Sequence, residues 1–103
     1  MIIIKLEAVK KKELRGQILL FLSNINPYPI SRESIFETLY EYWQTEDILQ
    51  ALQYLIDGGY VEEKAVSSPF GSSFDKIHNY RITKKGVDIC DLTILDEGIH
   101  VRR

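Results

Sequence analysis

Groups able to carry catalysis or hold a metal are few in this chain of 103 residues. His78 and His100 are separated by a helical stretch and have no set of carboxylate partners. Cys90, the one cysteine, falls on the apolar face of that stretch, where a small core residue is expected in place of a nucleophile or sensor. There is no phosphate-cradling glycine motif, no Gly-x-Ser-x-Gly elbow, and no His-x-x-x-His or Cys-x-x-Cys spacing. The chain therefore reads as a non-enzyme with no cofactor and no metal.

The chemistry that remains is that of charge, and the charges are sorted by sign. Thirteen Lys and Arg stand against fifteen Asp and Glu, a net charge of −2, so no overall basic character announces nucleic acid. From Glu33 to Glu63 there is no cation at all, while Glu33, Glu37, Glu41, Glu46, Asp47, Asp57, Glu62 and Glu63 supply eight carboxylates. Beyond that block Lys64, Lys76, His78, Arg81, Lys84 and Lys85 fall in one neighbourhood suited to phosphate. Lys84 and Lys85 follow a helix N-cap, where the dipole disfavours cations; an external anion or a merely solvated helix start explains them equally well. Lys10, Lys11 and Lys12 read as a wet helix face that could also meet the acidic block of a second copy.

These residues need elements to position them. Val9, Leu14, Ile18, Phe21, Leu22 and Ile25 recur at three- and four-residue steps and predict a helix from about Ala8 to Asn24, while periodicity leaves Met1 to Leu6 open between strand and helix. Asn26-Pro27-Tyr28-Pro29 stops that helix. Ser31 caps a second, carrying Ile35, Phe36, Leu39 and Tyr40 and ending near Tyr42. Thr45 is expected to cap a third, with Glu46 and Asp47 in its first turn, Ile48, Ala51, Leu52, Leu55 and Ile56 inward, and Gly58-Gly59 closing it. Tyr60 to Val66 and Lys76 to Ile82 read as strands of a hairpin whose tip, Ser67 to Ser73, has a loop's composition. Phe70 and Phe74 in that region pack back on the domain or reach a partner. Thr83 caps a last helix through Val87, Ile89 and Cys90, extending toward Leu92.

Length and the lack of a long linker predict a single domain over residues 1–103. The longest apolar runs fall far short of the ~20 residues of a membrane span, and a lone cysteine fits a reducing, cytoplasmic setting. The N-terminal apolar segment, residues 1–7, and the tail, residues 96–103, offer Ile2, Ile3, Ile4 and Leu6 with Ile99 and Val101 for dimer contacts.

Three short helices followed by a hairpin are the layout of a winged helix-turn-helix domain of α+β class, with the third helix as recognition helix and the hairpin as wing. The stretch Ile48-Leu49-Gln50-Ala51-Leu52-Gln53-Tyr54-Leu55-Ile56-Asp57-Gly58-Gly59-Tyr60-Val61 resembles the passage from helix three into the wing of many bacterial winged-helix regulators. Tyr80-Arg81-Ile82-Thr83-Lys84-Lys85-Gly86 is similar to the Tyr-x-Leu-Thr-x-x-Gly that ends their wing. Arg15 to Leu22 and the ending Gly98-Ile99-His100-Val101-Arg102 look most like small phage- or prophage-encoded proteins of ArsR-like winged-helix type.

The resemblance implies a DNA-binding transcriptional regulator acting as a homodimer on double-stranded DNA. Its contacts would come from Thr45, Gln50, Gln53 and Tyr54 on helix three, and from Lys64, Lys76, Arg81, Lys84 and Lys85. The amides of Gln50 and Gln53 suit adenine edges, although two glutamines on a wet helix face are also simply good helix formers. Glu46 and Asp47 depart from the pattern, since carboxylates near phosphate are repelled. The charge distribution therefore keeps a second reading open, a protein-interaction module that docks a basic partner through its acidic helix-three face.

Overall fold

The computed structural model describes residues 2–67 and 76–102, with the backbone alone for residues 2–6. It is an α+β domain: α1 (Ile2–Ile25), β1 (Ile30–Ser31), α2 (Arg32–Leu39), α3 (Thr45–Asp57), β2 (Val61–Ser67), β3 (Lys76–Ile82) and α4 (Lys84–Cys90). The strands form one antiparallel sheet in the order β1-β3-β2. No helix among the described residues is long and apolar enough to cross a membrane.

The open question at the N-terminus resolves as helix, because α1 runs on through Ile2 to Leu6. Its inner stripe, Leu14, Ile18, Leu19 and Leu22, is buried against Ile48, Ala51, Leu52 and Leu55 of α3, with Tyr80, Ile82, Ile89 and Cys90 completing the core. The side chains of Ile2, Ile3, Ile4 and Leu6, invoked for dimerisation, lie outside the described residues, as do Phe70 and Phe74.

Ser31 caps α2 as expected, its Oγ accepting from the Ser34 amide at 3.2 Å. The helix stops at Leu39 and not near Tyr42, because the amides of Tyr42 and Trp43 both turn back to the Leu39 carbonyl. Thr45 is not a cap: the extended residue whose carbonyl receives the first helical bond, from Ile48, is Gln44, and Thr45 is already helical. At the other end of α3, Gly59 takes φ +81, and the amides of Gly59 and Tyr60 reach the Ile56 and Leu55 carbonyls. Thr83 caps α4 through the Gly86 amide, but Leu92 falls outside that helix with φ 61 and half its surface exposed. β1 has no counterpart in the sequence reading, since two residues after Pro27-Tyr28-Pro29 carry no strand period; its Ile30 and Ser31 pair with Tyr80 and Asn79.

The tail corrects a further expectation. Ile99 is 8% exposed and Val101 packs on the core of the same chain, so neither waits for a second copy. The His100 amide bonds the Lys12 carbonyl at 3.0 Å, and Arg102 pairs with Glu13. A Cβ at Gly16 would fall on the His100 carbonyl, so the residue below the tail must be glycine. Gly16→Ala should therefore lift the tail from α1, read as faster amide exchange at His100 with α3 left protected. Leu52→Ala should cost about 2–5 kcal/mol in denaturant unfolding, and Gln53→Ala under about 0.5 kcal/mol.

Candidate functional site

With Ile48, Ala51, Leu52 and Leu55 turned inward, α3 presents Thr45, Glu46, Leu49, Gln50 and Gln53 to solvent. Gln50 makes no side-chain hydrogen bond among the described residues. The Gln53 amide donates to Asp57 one turn on, at 2.8 Å. No cation stands on this helix, whose first turn carries Glu46 and Asp47.

Tyr54 leaves that face. It adjoins the buried stripe, and its hydroxyl donates to Asp96 Oδ1 at 3.0 Å while the Arg15 guanidinium lies 3.7 Å from its ring centre. Asp96 also accepts from the Tyr60 hydroxyl at 2.5 Å and from the Gly98 amide at 2.7 Å, and Arg15 Nη1 donates to the Gly98 carbonyl. The Tyr60 hydroxyl above all, then the Gly98 amide and the Tyr54 hydroxyl, hold the Asp96 carboxyl below its ordinary range against the opposing effect of burial. The same bond from Asp96, with burial, pushes Tyr60 up to about 12. The sequence does not single out Asp96, because a carboxylate that gathers two tyrosines from 36 and 42 residues away leaves no local signal.

The cations of the hairpin neighbourhood divide into those with partners and those without. Arg81 stands directly across from Glu62 in the sheet and holds it through Nε at 2.7 Å and a second nitrogen at 2.5 Å. Lys85 donates to the Gly58 carbonyl at 2.9 Å and lies 4.8 Å from the Tyr60 ring centre. Its place near the start of α4 is thus compensated by the C-terminal end of α3, whose dipole attracts it. Lys84 pairs with Asp88 at 3.2 Å yet keeps 92% of its side chain exposed, which makes the pair a weak hold. Lys64 and Lys76 are exposed and have no ionic partner among the described residues. His78, read from sequence as lacking a carboxylate partner, has Glu63 3.6 Å from Nδ1. Glu63 stands opposite Tyr80, two residues along from His78, so the two meet diagonally on one sheet face. Arg32 reaches the same carboxylate at 3.5 Å and donates to the Tyr80 hydroxyl at 3.0 Å.

The acidic block is likewise divided. Glu62 and Glu63 are answered by Arg81 and Arg32, whereas Glu37, Glu41, Glu46 and Asp47 are exposed and form no salt bridge among the described residues. Between them stand Tyr40 and Tyr42, 70% and 81% exposed. The end of α2, the turn after it and the start of α3 thus carry exposed acidic and aromatic side chains close together in sequence. No set of three or more His, Cys, Asp or Glu residues among those described could hold a metal ion.

Compared with family models, curated proteins and solved structures, the chain matches none.

The Asp96 contacts make stability depend on pH with a defined sign. A carboxyl whose folded pKa lies below its unfolded value stabilises the fold above the ordinary carboxylate range, and the contribution disappears as pH falls through the folded value. Tyr60 acts at the opposite end, stabilising below 10.0 and losing its effect as pH rises through about 12. Asp96→Asn should lower stability at neutral pH by about 2–3 kcal/mol and flatten the loss of stability in acid, measured by urea unfolding across a pH series.

Proposed function

We propose that this chain is a winged helix-turn-helix protein that binds double-stranded DNA as a homodimeric transcriptional regulator of the small phage-type, ArsR-like kind, working in a reducing cytoplasm. In this reading α2 and α3 are the helix-turn-helix and the β2–β3 hairpin is the wing. The observation that carries it is the placement of α3: its apolar stripe is buried against α1 and the sheet, while Thr45, Gln50 and Gln53 are exposed on the opposite face immediately before the hairpin. Glutamine amides so exposed suit adenine edges, and a dimer would present two such helices to a paired site.

Phosphate attraction then falls on Lys64, Lys76 and Lys84, with Arg81 and Lys85 assigned to the fold by their partners. Tyr54 leaves the set of contacts for the same reason. The acidic first turn of α3 keeps the total attraction small, so binding should be strongest at low salt.

A second reading is favoured by one specific observation, the acidic surface from Glu37 to Asp47 with its two exposed tyrosines. Such a surface suits a Lys- or Arg-rich protein segment, through carboxylate pairing and cation–π contact. Fluorescence anisotropy on random and genomic duplexes separates the two. Lys64→Ala with Lys76→Ala should weaken binding to all duplexes alike and reduce the salt slope by about two, at ~0.9 per phosphate contact. Gln50→Ala should blur sequence preference with the slope unchanged. No binding of the wild type at ~50 mM salt, together with saturable binding of a Lys/Arg-rich peptide, would establish the protein-docking reading in its place.

A further inference from the structure

The arc of α3 opposite its buried stripe carries Glu46, Leu49, Gln50 and Gln53, whose three- and four-residue steps make them neighbours on one surface. Leu49 is the one aliphatic side chain among them and is 37% exposed, whereas Ile48, Ala51, Leu52 and Leu55 are buried. Of the two amides, Gln53 turns its nitrogen to Asp57 at 2.8 Å, and Gln50 makes no side-chain hydrogen bond among the described residues. Lys and Arg are absent from the whole of α3. The base edges in the major groove sort these groups. Guanine presents two acceptors, N7 and O6, that take paired donors from Arg or Lys; α3 has neither, and the Glu46 carboxylate repels both acceptors. Adenine presents an acceptor and a donor, N7 and N6, which one glutamine amide matches with its N–H and its carbonyl. Thymine carries a methyl group, the base-pair feature that takes an apolar side chain. Glu46 suits an exocyclic amine, but adenine and cytosine both have one, so it does not separate the two kinds of pair.

We infer that α3 selects A·T over G·C base pairs, with Leu49 against the thymine methyl and Gln50 on the adenine edge. This assignment rests on the DNA-binding reading above and deepens it, since that reading gives Leu49 no role and leaves open which base pairs are refused. An exposed leucine and a free amide at adjoining positions are readers for the two bases of A·T pairs, and nothing on the helix reads guanine. Gln53 contributes less than Gln50, because its amide is already turned to Asp57. The lysines of the hairpin, as phosphate contacts, are blind to sequence, so preference resides in α3 and general affinity in the hairpin. Burial of one methyl group corresponds to about 4-fold in affinity, which sets the size of the Leu49 contribution.

The probes are three duplexes of ~20 base pairs and alternating sequence: A-T, A-U, which lacks only the major-groove methyl groups, and G-C. Binding of the full chain to each is read by fluorescence anisotropy at ~50 mM salt. The wild type should bind the A-T duplex at least ~10-fold more tightly than the G-C duplex and ~4-fold more tightly than the A-U duplex. Leu49→Ala should bind the A-T and A-U duplexes alike while still preferring both to G-C through Gln50. Gln50→Ala should lose most of the preference over G-C yet still distinguish A-T from A-U. The A-U comparison on the wild type needs no substitution, so it decides the matter even where a variant is destabilised. Equal binding of A-T and A-U by the wild type, a methyl effect that survives Leu49→Ala, or equal binding of A-T and G-C overturns the inference and leaves DNA binding standing. Binding to none of the three overturns the DNA-binding reading and the inference together.

Discussion

The Asp96 carboxylate is the point at which the separate parts of this domain are joined. It draws the Tyr54 hydroxyl from α3, the Tyr60 hydroxyl from the approach to β2, and the Gly98 amide from the tail into one cluster. Charge-assisted bonds of this kind are stronger than neutral ones, and a half-buried carboxylate is tolerated only when its lone pairs are filled. Arg15 completes the arrangement from α1, with its guanidinium on the Tyr54 ring and one nitrogen on the Gly98 carbonyl. The tail then lies along α1 closely enough to require glycine at position 16 beneath it and at position 98, where a Cβ would meet the Tyr54 hydroxyl. Three parts of the chain, α3, the base of the hairpin and the tail, meet at one side chain, and Arg15 ties α1 to them through Tyr54 and Gly98.

That cluster also decides which residues of α3 and the hairpin remain for function. Tyr54 is committed to Asp96 and Lys85 to the end of α3, and Arg81 is held by its cross-strand glutamate. What remains exposed is Gln50, Lys64, Lys76 and the head of Lys84 on one side, and the Glu37 to Asp47 surface on the other. The two proposed modes of docking use different residues, so a substitution that disables one leaves the other intact. In the proposed DNA-binding mode, so small a set of free cations beside uncompensated carboxylates makes the attraction weak and salt-sensitive.

Elements with a strong local period were legible in the sequence. The bounds of α3 follow from its stripe at Ile48, Ala51, Leu52 and Leu55, and β3 from the two-residue spacing of Tyr80 and Ile82 with turn-forming composition before it. Ser31 and Thr83 were legible as caps because each is a hydroxyl residue placed three before an amide it can reach. Thr45 misled for the complementary reason: Gln44 holds the capping position by backbone conformation alone. β1 and the tail were illegible because each is ordered by a partner distant in sequence, Tyr80 and Asn79 in one case, α1 and Asp96's tyrosines in the other. The same applies to the candidate site. Residue type identified the cations, but only the sheet register shows that Arg81 faces Glu62, and only the packing of α4 beside α3 shows that Lys85 has a carbonyl to bind.

The central claim is that the face of α3 opposite its buried stripe, together with the unpaired lysines of the hairpin, forms the docking surface for DNA. It is tested most directly by two-dimensional NMR of the 15N-labelled chain titrated with a short random duplex at ~50 mM salt, where residue-by-residue shifts locate contact without any substitution. The account predicts shifts at Thr45, the Gln50 and Gln53 side-chain amides, Lys64 and Lys76, with Tyr54 and the tail from Asp96 to Arg102 undisturbed. An absence of shifts at α3 and the hairpin, or shifts confined to the lysines of α1, would contradict it.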